Sequence, residues 1–350
     1  MKLLKRIKQK RSETSLHKKW YVHDQKFVSH LDLPSLSETE TQKIRSVWPC
    51  FDWRNEDYLS YRAYKRLNGF SPYFVGGYQS SFIWKILNPR ELSSSLSNKA
   101  YMDFIYPDVP FPSTILRGIT GNVYDANMNI LTIDESADIL AKYREFIVKP
   151  SVGHSYGNGV RKVSLPSDAV NVKSIVAKTI KESGDNFVIQ GVLHQHPIIA
   201  QLNPTSVNSC RFTSIYIEGQ YRSSVILKIG KKDSYIDNWR NGYVVGVSSE
   251  GVISAKGYDI NLSLVEKTDT GVCFGGISIP AFDKMAEVVE RSHKKYFPMC
   301  GVIGWDMMVD PEGNPHVIEL NLRPDFFAEQ ICSGAFFEPF CDIICKKMGC

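Results

Sequence analysis

Residues 301–324 read GVIGWDMMVDPEGNPHVIELNLRP, two stretches of alternating apolar character on either side of the turn sequence DPEGNP. That is the pattern of an antiparallel β-hairpin. With Val309 set opposite His316 across the turn, Asp306 becomes the direct partner of Glu319, and Ile303, Trp305 and Met307 fall opposite Leu322, Leu320 and Ile318. This face is wholly apolar. The other face carries Gly304, Asp306 and Met308 against Asn321, Glu319 and Val317, so Asp306, Glu319 and Asn321 converge on one patch.

Two carboxylates directly opposite each other destabilise a strand pair. A divalent cation between them removes that penalty. An oxygen-only set of Asp306, Glu319 and Asn321 suits a hard ion such as Mg²⁺, which keeps waters and substrate phosphates among its ligands. The competing reading is a solvated acidic face with the register slipped by one. Trp305 and the unbroken apolar row behind it place the sheet in the interior and favour the metal.

Upstream, EFIVKPSVGHSYGNGV (145–160) puts Lys149 at the end of a strand, followed by Gly153, Gly157 and Gly159. Lysine supplies a point charge for a phosphate, and glycines let backbone N–H groups approach an anion closely. The loop runs into a strand, not a helix, so it is neither a Walker A loop nor a dinucleotide fingerprint. A glycine-rich hairpin turn with no ligand has the same appearance. His154 within the loop reads as a solvent-facing histidine.

Working outward, residues 145–190 give strands EFIVKP, GVRKVSL and NFVIQ around a helix whose Val172, Ile175, Val176 and Ile180 share one face. Strand-rich segments follow (RFTSIYIEG, YRSSVILKIG, NGYVVGVS), among which Arg211 and Lys228 stand as isolated cations. A helix from Ala281 carries the apolar stripe Phe282, Met285, Ala286 and Val289, with Pro280 just before it. Residues 20–98 are rich in aromatics and polar residues, with helical pieces but no clear period. The expected organisation is an N-terminal mixed helical region (1–97), a small lobe with the glycine loop (98–190) and a large lobe with the carboxylate hairpin (191–350).

Composition sets the class. The 350 residues are 43% hydrophobic and 23% charged, enough apolar mass for two or three lobes. Neither a membrane-spanning apolar run nor a secretory leader is present in the sequence, so the expected location is cytoplasmic. The eight cysteines lack the paired spacings of zinc sites and read as reduced, mostly buried thiols. The net charge of +5 comes largely from MKLLKRIKQKRSETSLHKKW. That stretch reads as a solvated, frayed terminus, or as a weak contact with an anionic membrane surface; nucleic acid is not an expected partner.

Taken together and in order, LNPRELSSSLSNKAYM, FIVKPSVGHSYGNGV, HPIIAQLNPTSVNSCRFTS, DSYIDNWRNGYVVGV and GWDMMVDPEGNPHVIELNLRPDFF resemble the ATP-grasp superfamily. More narrowly, they resemble its sugar-transfer-associated branch, found with surface polysaccharide synthesis. The resemblance implies an α+β ATP-grasp fold in which two α/β lobes hold ATP between antiparallel sheets. It further implies that Lys149 contacts the α/β phosphates, that Lys99 is a second phosphate lysine, that the loop from Gly153 to Gly159 closes over them, and that Asp306, Glu319 and Asn321 hold Mg²⁺. Arg211, with Lys228 beside it in the catalytic set, would face the transferred phosphoryl group. Backbone groups of Gln190 and Val192, in the hinge IQGVLHQHP, would meet adenine; many relatives have an acidic residue where Gln190 stands. His194 and His196 read as polar satisfiers near the hinge, and Asp237 and Asn238 belong to a matching motif of underived role.

The implied reaction is ATP-dependent joining of a carboxylate to an amine or amino acid through an acyl phosphate, on small-molecule or sugar-linked substrates in a capsule or other surface-polysaccharide pathway. The alternatives are an ATP-grasp kinase acting on a hydroxyl and a nonenzymatic scaffold in a polysaccharide complex. The intact lysine, arginine and carboxylate set argues against the scaffold.

Overall fold

Alternating apolar residues become two antiparallel sheets among the described residues of the computed structural model, which are 2–152, 159–166, 169–232 and 239–350. The first contains β1 (Thr114–Ile119), β2 (Asn122–Asp125), β3 (Ile130–Leu131), β4 (Glu145–Pro150), β5 (Arg161–Ser164) and β6 (Phe187–Gly191), in the order β3-β2-β1-β6-β4-β5. Helices Ile133–Leu140 and Ala169–Glu182 cover it, burying Leu140 and Val176 against Leu116, Phe146 and Ile189. Thr132 and Glu135 start the first of these helices with a reciprocal cap, each side chain taking a backbone N–H from the other residue.

The second sheet contains β7 (Ser209–Ile217), β8 (Gln220–Gly230), β9 (Gly242–Val247), β10 (Ile253–Asp259), β11 (Leu264–Val265), β12 (Val302–Val309) and β13 (Pro315–Asn321), in the order β11-β10-β9-β8-β7-β12-β13. The two-residue side-chain period sorts its strands into two faces. Phe212, Leu227, Trp305 and Met307 point to one face and pack with Met285 and Val289 of the helix Phe282–Tyr296. Ile215, Ile226, Val244 and Val302 point to the other, where the N-terminal and C-terminal helices cover them with Trp48, Tyr61, Tyr64, Phe326 and Phe337. The chain before residue 98 is therefore helical and shares a core with the second sheet. Asn88, fully buried, ties it there: its amide donates to the carbonyls of Val302 and Leu322 at 2.6 Å each.

The hairpin register holds at its functional end and shifts at the turn. Gly304 pairs Asn321, Trp305 pairs Leu320 and Asp306 pairs Glu319. Beyond them Met307 pairs Val317 and Val309 pairs Pro315, not Ile318 and His316. A bulge makes Ile318 the extra residue of β13, and Val317 takes the core position expected of Ile318, which turns to the cleft.

Two further expectations are corrected. The cysteines are not all free: Cys50 and Cys350 form a disulfide, S–S 2.05 Å, across a sequence separation of 300. The terminal helix Cys341–Met348 makes this pairing local in space, since the Cys345 thiol donates to the Val47 carbonyl beside Cys50. The basic N-terminus is not frayed but helical over Lys2–Val28. Among the described residues no helix is long and apolar enough to cross a membrane.

Candidate active site

The face of the second sheet that the helices cover at one end is open at the other, and it forms the floor of a cleft of about 950 Å³ between the two sheets. Across that floor a row runs through directly paired residues: Ile226 on β8, Arg211 on β7, Asp306 on β12 and Glu319 on β13. Strand alternation places Lys228 on the same face, diagonal to Arg211. One cation and two anions in a row, with a second cation within reach, are what adjacency of β7 and β12 produces.

The Arg211 guanidinium grips Asp306 with two bonds, Nε to Oδ1 at 2.6 Å and an Nη to Oδ2 at 2.7 Å. Lys228 Nζ lies 2.9 Å from Oδ1, and the Asn321 amide donates to Oδ2 at 3.2 Å. Asp306 is 5% exposed. Burial alone would raise its pKa, but Arg211 and Lys228 outweigh that and hold the carboxyl well below its usual range. Glu319 is answered from outside its own sheet: Lys99 Nζ sits 2.9 Å from its Oε1. The repulsion read from the hairpin is thus relieved by side-chain cations.

Gly304 is what allows the close approach. A Cβ there would stand 3.0 Å from Pro324 Cβ and 3.3 Å from Arg211 Cδ, crowding the arginine stem where it turns toward Asp306.

Lys149, on β4 opposite Val188, enters the cleft from the first sheet with Ile147 two residues before it. Burial pushes its ammonium down to about 8; Lys99 adds to the depression and Glu319 opposes it. A desolvated ammonium of this kind gains more from an anion than a hydrated one does. The Lys99 backbone N–H donates to Ser151 O at 3.1 Å, which fixes the segment carrying Lys99 beside the end of β4.

The segment that follows β6 forms one wall, with Gly191, Val192, Leu193, His194 and Gln195 lining the cleft. Gln190 is buried in β6 and its amide donates to Pro112 O at 3.3 Å, so its side chain serves the protein interior. His196 caps the short helix Pro197–Ala200, its ring nitrogen accepting from Ile198 N. Gly159 has φ of +80°, and a Cβ on it would meet Pro150 Cγ at 2.7 Å. Gly153, His154, Gly157, Asp237 and Asn238 lie outside the described residues.

Several residues that line the cleft carry no local signal in the sequence. Lys162 on β5 pairs with Glu145 at 2.7 Å. Arg323 and Asp325, by contrast, do carry one: they follow Glu319 and Asn321 at the same two-residue spacing, past the end of β13. Glu329, 1% exposed, accepts a hydrogen bond from Thr213 at 2.8 Å, and burial pushes it up to about 7 against the pull of Arg211. Trp20, His23, Phe27, Trp84 and Trp239 line the cleft where the helices cover the sheet.

The family model described as sugar-transfer associated ATP-grasp matches residues 78–345, most of the chain and all of both sheets. No curated protein matches the sequence. Among solved structures, the chain is similar to D-cycloserine synthetase DcsG at 15% identity and a TM-score of 0.43, covering 74% of this chain and 73% of that one. It is similar to D-alanyl-alanine synthetase A from Vibrio cholerae O1 biovar eltor at 13% identity and 0.43, covering 73% and 65%. It is similar to the ATP-grasp ligase PsnB complexed with minimal precursor at 14% identity and 0.43, covering 75% and 63%. In the last two cases the chain spans slightly less than two thirds of the other protein.

Proposed function

This chain belongs to the sugar-transfer associated ATP-grasp family, and on that premise we propose that it is an ADP-forming carboxylate–amine ligase that works through an acyl phosphate. Its substrates in this reading are a sugar-linked carboxylate and an amine or amino acid, joined during synthesis of a surface polysaccharide. The observation that carries the proposal is the convergence of Lys99, Lys149, Arg211 and Lys228 on Asp306 and Glu319 in one cleft. Four cations facing two carboxylates leave an excess of positive charge suited to a polyphosphate.

The donor set fits Mg²⁺. Asp306, Glu319 and the amide oxygen of Asn321 are hard oxygen ligands on one hairpin face. Among the described residues no group of three or more His, Cys, Asp or Glu gathers to hold a metal by itself, which matches a magnesium site that is completed by nucleotide oxygens and water. When bound, Mg·ATP supplies the phosphoryl group and neutralises charge on its oxygens. Triphosphate oxygens would take over the cations now paired with Asp306 and Glu319, leaving both carboxylates to the metal.

The chain's own groups then divide the work. Lys149 and Lys99 hold the phosphates from the small-lobe side. Arg211, fixed at the centre of the floor, binds the oxygens between which the phosphoryl group moves. A substrate carboxylate oxygen attacks the γ-phosphorus and the bond to ADP breaks. The amine nitrogen next attacks the acyl carbon, loses a proton, and inorganic phosphate departs. Cleft walls that exclude water protect the acyl phosphate from hydrolysis.

Incubation of the protein with ATP, Mg²⁺ and a panel of sugar acids and amines, read by mass spectrometry, should give an amide together with ADP. Formation of AMP, or of a phosphate ester in place of the amide, would contradict the proposal. Lys149→Ala should weaken ATP binding by about tenfold or more, the scale of a lost charge-assisted hydrogen bond. Calorimetry that returns an unchanged affinity would remove Lys149 from the site.

A further inference from the structure

The cleft is lined by two kinds of surface. Lys99 and Lys149 enter from the side of the first sheet, and Lys228 stands one step along the floor from the central Arg211. Where the helices cover the sheet the lining is aromatic, with Trp20 and Phe27 of the N-terminal helix, Trp84 and Trp239, and it carries the carboxyls of Asp325 and Glu329 together with His23 and Arg323. The chain before residue 78 lies outside the family match, so Trp20, His23 and Phe27 add a wall that the family model does not cover.

The rings of this wall are held in place by their polar edges and by one another. Each indole N–H is engaged: Trp84 donates to Pro324 O at 2.9 Å, Trp239 to Tyr258 O at 3.3 Å and Trp20 to Ser81 Oγ. Phe27 lies parallel to Trp239, centroids 5.7 Å apart and planes within 6°. Trp20 and Trp84 meet at 5.8 Å, tilted by 55°. The faces of such rings are electron-rich and attract C–H groups and cations. His23, the other polar group of the helix here, is held by Asp24 at 3.2 Å.

Asp325 opens to the cleft between these rings and Arg211, its Oδ1 accepting from Phe327 N at 2.9 Å. Protein walls surround it on its other sides, and their burial raises its pKa. Arg211 and His23 lie close enough to Asp325 to act on its charge, and Glu329 is already engaged by Thr213, so Asp325 is the carboxylate left to meet a ligand from the cleft. A ligand with an apolar ring face, hydroxyls and an amine matches the rings and this carboxylate: C–H groups on the aromatic wall, and a donor with positive charge on Asp325.

We propose that the N-terminal helix, Trp84, Trp239 and Asp325 form the subsite for the nucleophile, and that this nucleophile is an amino sugar. That it is the nucleophile rests on the ligase reading; that the subsite binds an amino sugar does not. In this arrangement the amine approaches Arg211 from the aromatic wall, where the acyl phosphate would be presented to it.

The test is direct binding to the full-length protein, using methyl 2-amino-2-deoxyglucoside and methyl glucoside as probes, followed by tryptophan fluorescence and calorimetry. The amino glucoside should bind at least about tenfold more tightly than the glucoside, the scale of one charge-assisted contact. Asp325→Asn should erase that preference, and Trp20→Ala should weaken both probes by about tenfold. AMP-PNP affinity within twofold of wild type shows that a variant is folded; should Trp20→Ala fail this check, the isosteric Asp325→Asn decides alone. Equal binding of the two probes by wild type, or wild-type preference retained in Asp325→Asn, overturns the subsite and leaves the ligase reading standing. Failure of any carboxylate to elicit ADP, with probe discrimination intact, overturns the ligase reading and leaves the subsite.

Discussion

Asp306→Asn is expected to lower kcat by about a thousandfold, the largest effect of any single substitution in the site. The change keeps the shape of the side chain and removes the charge that Arg211 grips with two bonds and Lys228 with one. In the proposed reaction that same carboxylate holds the metal against the phosphoryl oxygens, where the charge stabilisation required is worth several kcal/mol. Removing one partner of a buried ion pair also costs about 3–5 kcal/mol, so thermal unfolding with and without ATP must accompany the kinetics. A folded Asp306→Asn protein that turns over like wild type would refute the metal assignment. Glu319→Gln should behave similarly. Asn321→Ala should be milder, because a neutral amide contributes less to a dication than a carboxylate does.

Arg211→Ala is expected to reduce kcat by about a hundredfold or more while raising the Michaelis constant for ATP much less. The inequality follows from where Arg211 stands: at the centre of the floor, between Ile226 and Asp306 in the row of paired residues. A group that binds the phosphoryl oxygens in transit contributes more in the transition state than in the ground state. Arg211→Lys should recover little, since lysine keeps the charge but loses the two-pronged geometry seen on Asp306. Steady-state kinetics in which both substitutions raise the Michaelis constant and leave kcat unchanged would move Arg211 from the reaction centre to simple nucleotide binding.

Much of this site was legible because its chemistry is local. DPEGNP fixes a turn, alternation fixes the faces, and together they bring Asp306, Glu319 and Asn321 to one patch. The bulge at Ile318 was not legible: Val317 and Ile318 are both apolar, so either can fill the core and the pattern cannot say which strand holds the extra residue. Arg211 and Lys228 stood out as lone cations in strands, but their grip on Asp306 depends on β7 lying beside β12, a pairing across some ninety residues that no local period encodes. The same holds for Lys99 reaching Glu319 from outside its sheet. The N-terminal helices showed no clear stripe because aromatic contacts surround them on several sides, including those with Trp84, Trp239 and Phe327. The disulfide partners are separated by nearly the whole chain, beyond any spacing rule.

If this site activates a carboxylate, hydroxylamine will trap the activated species. With ATP, Mg²⁺ and a substrate carboxylate but no amine, the acyl phosphate must be attacked by hydroxylamine, giving a hydroxamate and ADP in equal amounts. The wild-type protein should give that product, and Arg211→Ala should lose it. A stable phosphate ester with ADP and no hydroxamate would show transfer to a hydroxyl, and would contradict the ligase assignment while leaving the fold and the magnesium site in place.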